Sequence, residues 1–184
     1  VIIVNVQYNV PLLIKHHVMK KLLFALFIAP IMLLTTGCPV GITYPLGTPG
    51  TEKIDKSILG KWVQEPGDDK EILSVQLEKK DDHTLKVTVL ERGPLYMEEV
   101  DDFNGWFTEI NDMQFVYFQN AADANGTYYH YAYKIEGDNL VTYDVSLLDG
   151  GTDAVVSTES FREQIKLSMQ RPEFLSSKIV WTKL

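Results

Sequence analysis

The sequence contains one cysteine, Cys38, and only four histidines. A single cysteine excludes an intramolecular disulfide and any zinc site built on cysteine ligands. Two of the histidines, His16 and His17, precede Cys38, which leaves His83 and His130 for the rest of the chain. Gly-x-Ser-x-Gly nucleophile motifs, EF-hand ligand spacings and glycine-rich phosphate loops are also missing. We therefore predict no catalytic residue, no metal site and no cofactor, and we expect a protein that is not an enzyme.

Positive charge is scarce after the first 37 residues. That N-terminal stretch carries Lys15, Lys20 and Lys21 and no acidic residue, and the remainder of the chain has 14 basic against 25 acidic residues. Such an excess of negative charge repels phosphate backbones, so we expect no binding to nucleic acid. Hydrophobic residues make up 45% of the chain and aromatic residues 11%, which is enough to bury a core.

The longest apolar run ends at the cysteine. Lysines at 20–21 precede an apolar segment at 22–34, and three small residues at 35–37 lead into Cys38. This is the order of a secretory signal, and the apolar segment is shorter than the roughly 20 residues that a transmembrane helix needs. The ending resembles the lipobox of bacterial lipoproteins, in which a peptidase cuts before the cysteine. In that family the cysteine carries diacylglycerol and becomes an acylated (for example, palmitoylated) N-terminus.

The resemblance implies that residues 19–37 are a signal peptide and that Cys38 is lipidated and anchored in the bacterial cell envelope. The alternative is an uncleaved anchor helix with an ordinary buried cysteine. Because Met19 suits the start of a signal peptide, we interpret residues 1–18 as a misassigned upstream extension, the alternative being a genuine one. In enterobacteria an aspartate after the cysteine retains lipoproteins at the inner membrane. Pro39 in that position favours the outer membrane, facing the periplasm.

The rest of the chain divides into a predicted flexible tether, residues 38–56, and a β domain, residues 57–184. The tether is rich in proline and glycine, whereas the domain shows alternating apolar and polar residues. The alternation predicts strands at 58–64, 71–79, 84–91, 105–110, 113–119, 127–135, 139–147 and 178–184. Short turns between them favour an antiparallel meander that closes into a barrel, the alternative being a β-sandwich. One amphipathic helix, capped at Ser157 or Thr158 and stopped by Pro172, precedes the last strand.

Gly60-Lys61-Trp62 in the first strand, together with a helix before the last strand, resembles the lipocalin-like fold of small bacterial lipoproteins. In that family the tryptophan packs across the closed end of the barrel, under a cation from a late strand. The resemblance implies that Gly60 and Trp62 form this barrel-end motif and that Lys183 or Arg171 supplies the cation.

Aromatic residues cluster in the central strands. Alternation places Tyr129, Tyr131 and Tyr133 on one face of their strand, and a tyrosine combines an apolar ring with a polar tip. We predict that a ligand cavity is lined by these three tyrosines together with Trp106, Phe115 and Tyr117. The alternative is cross-strand packing without a ligand. We expect a small apolar ligand, and the rival function is a protein-interaction or envelope-assembly module that uses an acidic surface or a strand edge.

Overall fold

The computed structural model describes residues 41–64, 72–92, 99–123, 125–148 and 150–184. The strands are β1 (Gly60–Gln64), β2 (Ile72–Lys79), β3 (Leu85–Arg92), β4 (Glu99–Ile110), β5 (Met113–Asn120), β6 (Tyr128–Glu136), β7 (Asn139–Val145) and β8 (Leu175–Lys183). The helices are the α-helix α1 (Thr158–Ser168) and the 3₁₀ helices Lys56–Ile58, Gly151–Ala154 and Pro172–Phe174. None of the helices in these ranges is long and apolar enough to span a membrane. The predicted signal peptide (19–37), the extension before it (1–18) and Cys38 lie outside the described residues.

The eight strands form a closed barrel in which each strand pairs antiparallel with the next. The first and last strands complete the circle through the pairs Trp62 with Lys183 and Gln64 with Trp181. The predicted antiparallel meander that closes into a barrel is therefore confirmed, and so is the helix before the last strand. Every described strand has a neighbour on both sides.

The strand β4 is longer than its sequence predicts. It begins at Glu99 rather than at residue 105, and Asp101 pairs in register with Val89 of β3. Because acidic residues are depleted in strands, the acidic first half of β4 was not predicted as a strand from the sequence. Here Asp101 and Asp102 lie near the beginning of the strand and are exposed. The last strand likewise begins at Leu175, three residues before the predicted start.

Helix α1 covers the outside of the barrel. Its N-cap is Ser157, whose hydroxyl accepts a hydrogen bond from the Ser160 amide, and the Ser160 hydroxyl accepts one from the Ser157 amide. This reciprocal capping box satisfies two amides that a helix start otherwise leaves unpaired. Phe161 and Ile165, one turn apart, are fully buried against residues of β5 and β6. The helix thus gives these two strands a second buried face.

The predicted flexible tether, residues 38–56, is corrected for its described part. Ile42 exchanges two backbone hydrogen bonds with Tyr128, at 2.9 and 2.7 Å. Leu46 is fully buried in a cluster outside the barrel that includes Phe115, Tyr117, Phe161 and Ile165 and is called the outer cluster below. Ile54 is buried in the cluster inside the barrel. Isolated apolar side chains hold this segment on the barrel even though proline and glycine dominate its composition. The β domain therefore begins before residue 57.

Trp62 is buried at the end of the barrel where β1 begins. Its indole Nε1 donates a hydrogen bond to the Ile58 carbonyl oxygen at 2.7 Å, and the Lys183 Nζ lies 5.0 Å from its ring centroid. Gly60 has a φ of 133°, and a Cβ at this position would lie 2.9 Å from the Lys183 Cε. The positive φ favours glycine at this position, whereas the flexible end of the lysine side chain could shift to make room for a Cβ. Of the two cations that the resemblance implied, Lys183 occupies the site over Trp62.

The coupling between Trp62 and Lys183 is testable with a double-mutant cycle. We expect Lys183→Met to lower the free energy of unfolding by about 1 kcal/mol in the wild type, since methionine keeps the packing but removes the cation over the indole. In a Trp62→Leu background the same change should have a much smaller effect. Urea unfolding of the four proteins gives the coupling energy, and a value near zero would contradict a stabilising cation–π contact.

A cavity inside the barrel as the candidate functional site

The barrel interior contains a cavity of about 410 Å³. Its wall is made by inward-facing residues that alternate with outward-facing ones along each strand. The aliphatic and polar lining residues are Ile58, Leu73, Val75, Leu77, Val87, Val89, Glu91, Asp101, Val116, Leu140, Thr142 and Ile179. The aromatic lining residues are Phe103, Phe118, Tyr129, Tyr131, Tyr133 and Trp181. Most of this wall is apolar.

Two polar groups of the deeper wall are paired within the protein. The hydroxyl of Tyr133 donates to the Asp55 Oδ2 at 3.2 Å, and the indole Nε1 of Trp181 donates to the Thr142 hydroxyl at 2.9 Å. Burial, with a smaller contribution from the neighbouring Asp55, raises the pKa of Tyr133 far above its usual value. These groups therefore present a neutral surface to anything inside the barrel.

The ionisable wall residues on β3 and β4 lie at the opposite end from Trp62. Glu91 and Asp101 follow the inward alternation of β3 and β4 and line this part of the cavity. Asp144 is paired in register with Tyr131. Burial first, and then the charge of Asp144, raises the pKa of Tyr131. Among the described lining residues, the two carboxylates Glu91 and Asp101 thus lie together at the end of the cavity away from Trp62.

The six aromatic residues that were predicted to line one cavity are divided by the barrel wall. Tyr129, Tyr131 and Tyr133 line the cavity. The predicted cavity position is wrong for Trp106, Phe115 and Tyr117. Phe115 and Tyr117 are buried in the outer cluster, and Trp106 packs against that cluster. The inner face of β5 instead presents Val116 and Phe118.

The physical reason is that β5 has two buried faces. Alternation of apolar and polar residues identifies the inward face of a strand only where the outward face is polar. In β5 the outward residues are apolar as well, because α1 packs on them. The antiparallel register was the missing signal, since Val116 stands opposite Tyr131 and Phe118 opposite Tyr129. Paired residues share a face, so the tyrosine stripe marks the inward residues of β5 once that register is known.

The outer cluster contains a buried histidine that the cavity does not use. The ring of His130 lies edge-on to Phe161 of α1, with 4.7 Å between centroids, and is stacked with Tyr117 at 6.0 Å. Neither ring nitrogen, nor the Tyr117 hydroxyl, has a hydrogen-bond partner within the described part of the chain. Burial lowers the pKa of His130 to about 3, so this histidine is neutral near pH 7.

This burial makes stability depend on pH. The pKa of His130 is about 3 in the fold and near 6.5 when unfolded, so the unfolded state binds more protons between these values. Stability is full above pH 6.5 and falls as the pH drops toward 3. From pH 7 to pH 5 we expect His130 to lower the free energy of unfolding by about 2 kcal/mol.

The matched variant is His130→Phe, which keeps an aromatic ring against Phe161 but does not titrate. Chemical denaturation at pH 7 and pH 5 should show a smaller loss of stability for the variant than for the wild type. Equal losses in the two proteins would show that His130 is not held neutral under α1.

Within the described ranges, no group of three or more histidine, cysteine, aspartate or glutamate side chains is arranged to hold a metal ion. Comparison of the chain with models of known protein families, with curated proteins and with solved structures finds no match.

Proposed function

We propose that this protein is a non-enzymatic, lipocalin-like binding protein that holds a small apolar molecule inside its barrel. The observation that carries the proposal is the apolar cavity of about 410 Å³. That volume lies within the roughly 300–1,000 Å³ of typical small-molecule sites.

The composition of the cavity wall supports this function. An eight-stranded barrel is just wide enough either to be filled by its own side chains or to hold one small ligand. Valines supply much of the wall here, at positions 75, 87, 89 and 116, and these short side chains leave the centre open. Empty apolar volume costs packing energy, and an apolar ligand would recover that energy.

The rival function, in which a partner protein adds a strand to a sheet edge, finds less support. Strand addition needs an unpaired edge, and each described strand of the barrel already has two neighbours.

We also propose that Cys38 is lipidated and anchors the barrel in the bacterial cell envelope. The order of lysines, apolar segment, small residues and cysteine supports this anchoring. Only Pro39 and Val40 separate Cys38 from Gly41, the first described residue. Mass spectrometry of the mature N-terminus should find an acylated Cys38, and an unmodified cysteine within an uncleaved chain would refute the anchor.

Ligand binding is testable with two substitutions on one strand. Ile179 faces the cavity, whereas Val180 is 41% exposed on the outer surface. We expect Ile179→Trp to fill the cavity and to weaken binding of the neutral apolar fluorophore N-phenyl-1-naphthylamine by at least about tenfold. Val180→Trp adds the same side chain outside the barrel and should leave the affinity unchanged.

The measurement is the fluorescence of the probe during titration with each protein. Equal binding by wild type and Ile179→Trp would show that the probe binds elsewhere. Absence of binding to the wild type would contradict the proposed function.

A further inference from the structure

We infer that the ligand of the cavity is a flat molecule of fused rings, which lies with one face against an aromatic wall of the barrel and the other face toward an aliphatic wall. This inference rests on the proposed function and specifies its ligand class. It follows from the way in which the lining residues divide around the barrel.

The aromatic wall consists of four rings on three neighbouring strands: Phe103 of β4, Phe118 of β5, and Tyr129 and Tyr131 of β6, all of which line the cavity. Phe103 lies edge-on to Tyr129 with 6.2 Å between ring centroids. Phe118 lies 6.0 Å from Tyr131 with an angle of 42° between the ring planes, and it is paired in register with Tyr129. The four rings therefore form one continuous aromatic surface.

A glycine in β4 gives the ring of Phe118 its place on this wall. Gly105 is paired in register with Phe118, and a Cβ at Gly105 would lie 2.8 Å from the Cδ1 atom of that ring. Glycine inside a strand often marks such a close approach. The ring of Phe118 thus lies over Gly105, along the wall, and leaves the centre of the barrel open.

The aromatic wall keeps accessible surface inside the barrel. All four of its residues are only half-buried. By contrast, Phe107 and Tyr133, which belong to the cluster inside the barrel, are buried. Aromatic surface that faces a cavity lacks van der Waals partners on one side, and a ligand in the cavity supplies them. The wall therefore provides ring surface that the protein itself does not cover.

The opposite side of the cavity is aliphatic. In a closed barrel of eight strands, β2 lies four strands from β6 in either direction, so these two strands face each other across the interior. The described lining residues of β2 are Leu73, Val75 and Leu77, and Val87 and Val89 follow on β3. A ligand between the two sides therefore contacts aromatic rings on one face and methyl groups on the other.

These two walls favour a flat, rigid ring system over other apolar molecules of similar size. Aromatic rings attract one another edge to face or in offset stacks, and this attraction adds to the gain from burial alone. The methyl groups of the aliphatic wall pack against a flat face as well as against a puckered one. A rigid ligand also loses less conformational freedom on binding than a flexible chain does. The aromatic wall therefore discriminates between ligands of equal hydrophobicity.

The test compares two neutral alcohols with the same carbon skeleton: 2-naphthol, which is flat and aromatic, and decahydro-2-naphthol, which is saturated and puckered. Each is titrated against the full-length chain with bound N-phenyl-1-naphthylamine, and displacement of the fluorophore gives its affinity. We expect 2-naphthol to bind about threefold to tenfold more tightly than decahydro-2-naphthol, because only the aromatic alcohol gains ring contacts with the wall.

Matched variants on β5 locate the effect. We expect Phe118→Leu to reduce the preference for 2-naphthol about threefold, because leucine keeps an apolar side chain in the cavity but removes a ring from the aromatic wall. Phe115→Leu makes the same change in the outer cluster and should leave the preference unchanged. Tyr129→Leu, with Tyr128→Leu as its outer control, is a second pair on β6 in case Phe118→Leu is poorly folded. Unchanged affinity for decahydro-2-naphthol shows that a variant keeps its cavity.

The outcomes separate this inference from the proposed function. If decahydro-2-naphthol binds as tightly as 2-naphthol while the fluorophore still binds, the ligand class is overturned and the binding function stands. An equal loss of preference in Phe118→Leu and Phe115→Leu would overturn the role of the aromatic wall. If neither the fluorophore nor either alcohol binds, the proposed function itself fails.

Discussion

The packing of Trp62 at the junction of β1 and β8 is the contact on which the closure of the barrel depends. The strand β1 has only five residues, and its register with β8 covers three pairs. So short a ladder gives the closure little hydrogen bonding. The indole adds burial, a hydrogen bond to Ile58 and the cation of Lys183 at this junction.

A second layer outside the barrel keeps the wall rigid while the centre stays open. Phe161 and Ile165 of α1, with Leu46 from the N-terminal segment, are fully buried against the outer face of β5 and β6. Because these strands gain their packing energy on the outside, the barrel does not need a filled interior to be stable. The residues that stabilise the wall and the residues that face a ligand are thus separate sets.

Sequence reasoning succeeded where one face of a strand was polar or the pattern was long. The alternation in β6 placed three tyrosines together, and the capping signal at Ser157 located α1 within one residue. It failed where tertiary structure buries both faces, as at Phe115 and Tyr117, because no period distinguishes two apolar faces. The proline-rich segment from Ile42 onward was also predicted to be a flexible tether, because single buried apolar residues such as Leu46 give no periodic signal in the sequence.

The sequence showed an acidic protein but not where the charge lies, since that depends on register. The pairing of β3 with β4 places Asp101 and Asp102 on opposite faces of the sheet, and of the two only Asp101 lines the cavity.

The central claim is that the barrel interior is a binding site. The most direct test is an NMR measurement on protein with labelled methyl groups, in the presence of decanol. We predict intermolecular nuclear Overhauser effects from the decyl chain to Val116 and Leu140, which line the cavity. Effects confined to Val180 on the outer surface, or to Ile165 under α1, would contradict the claim.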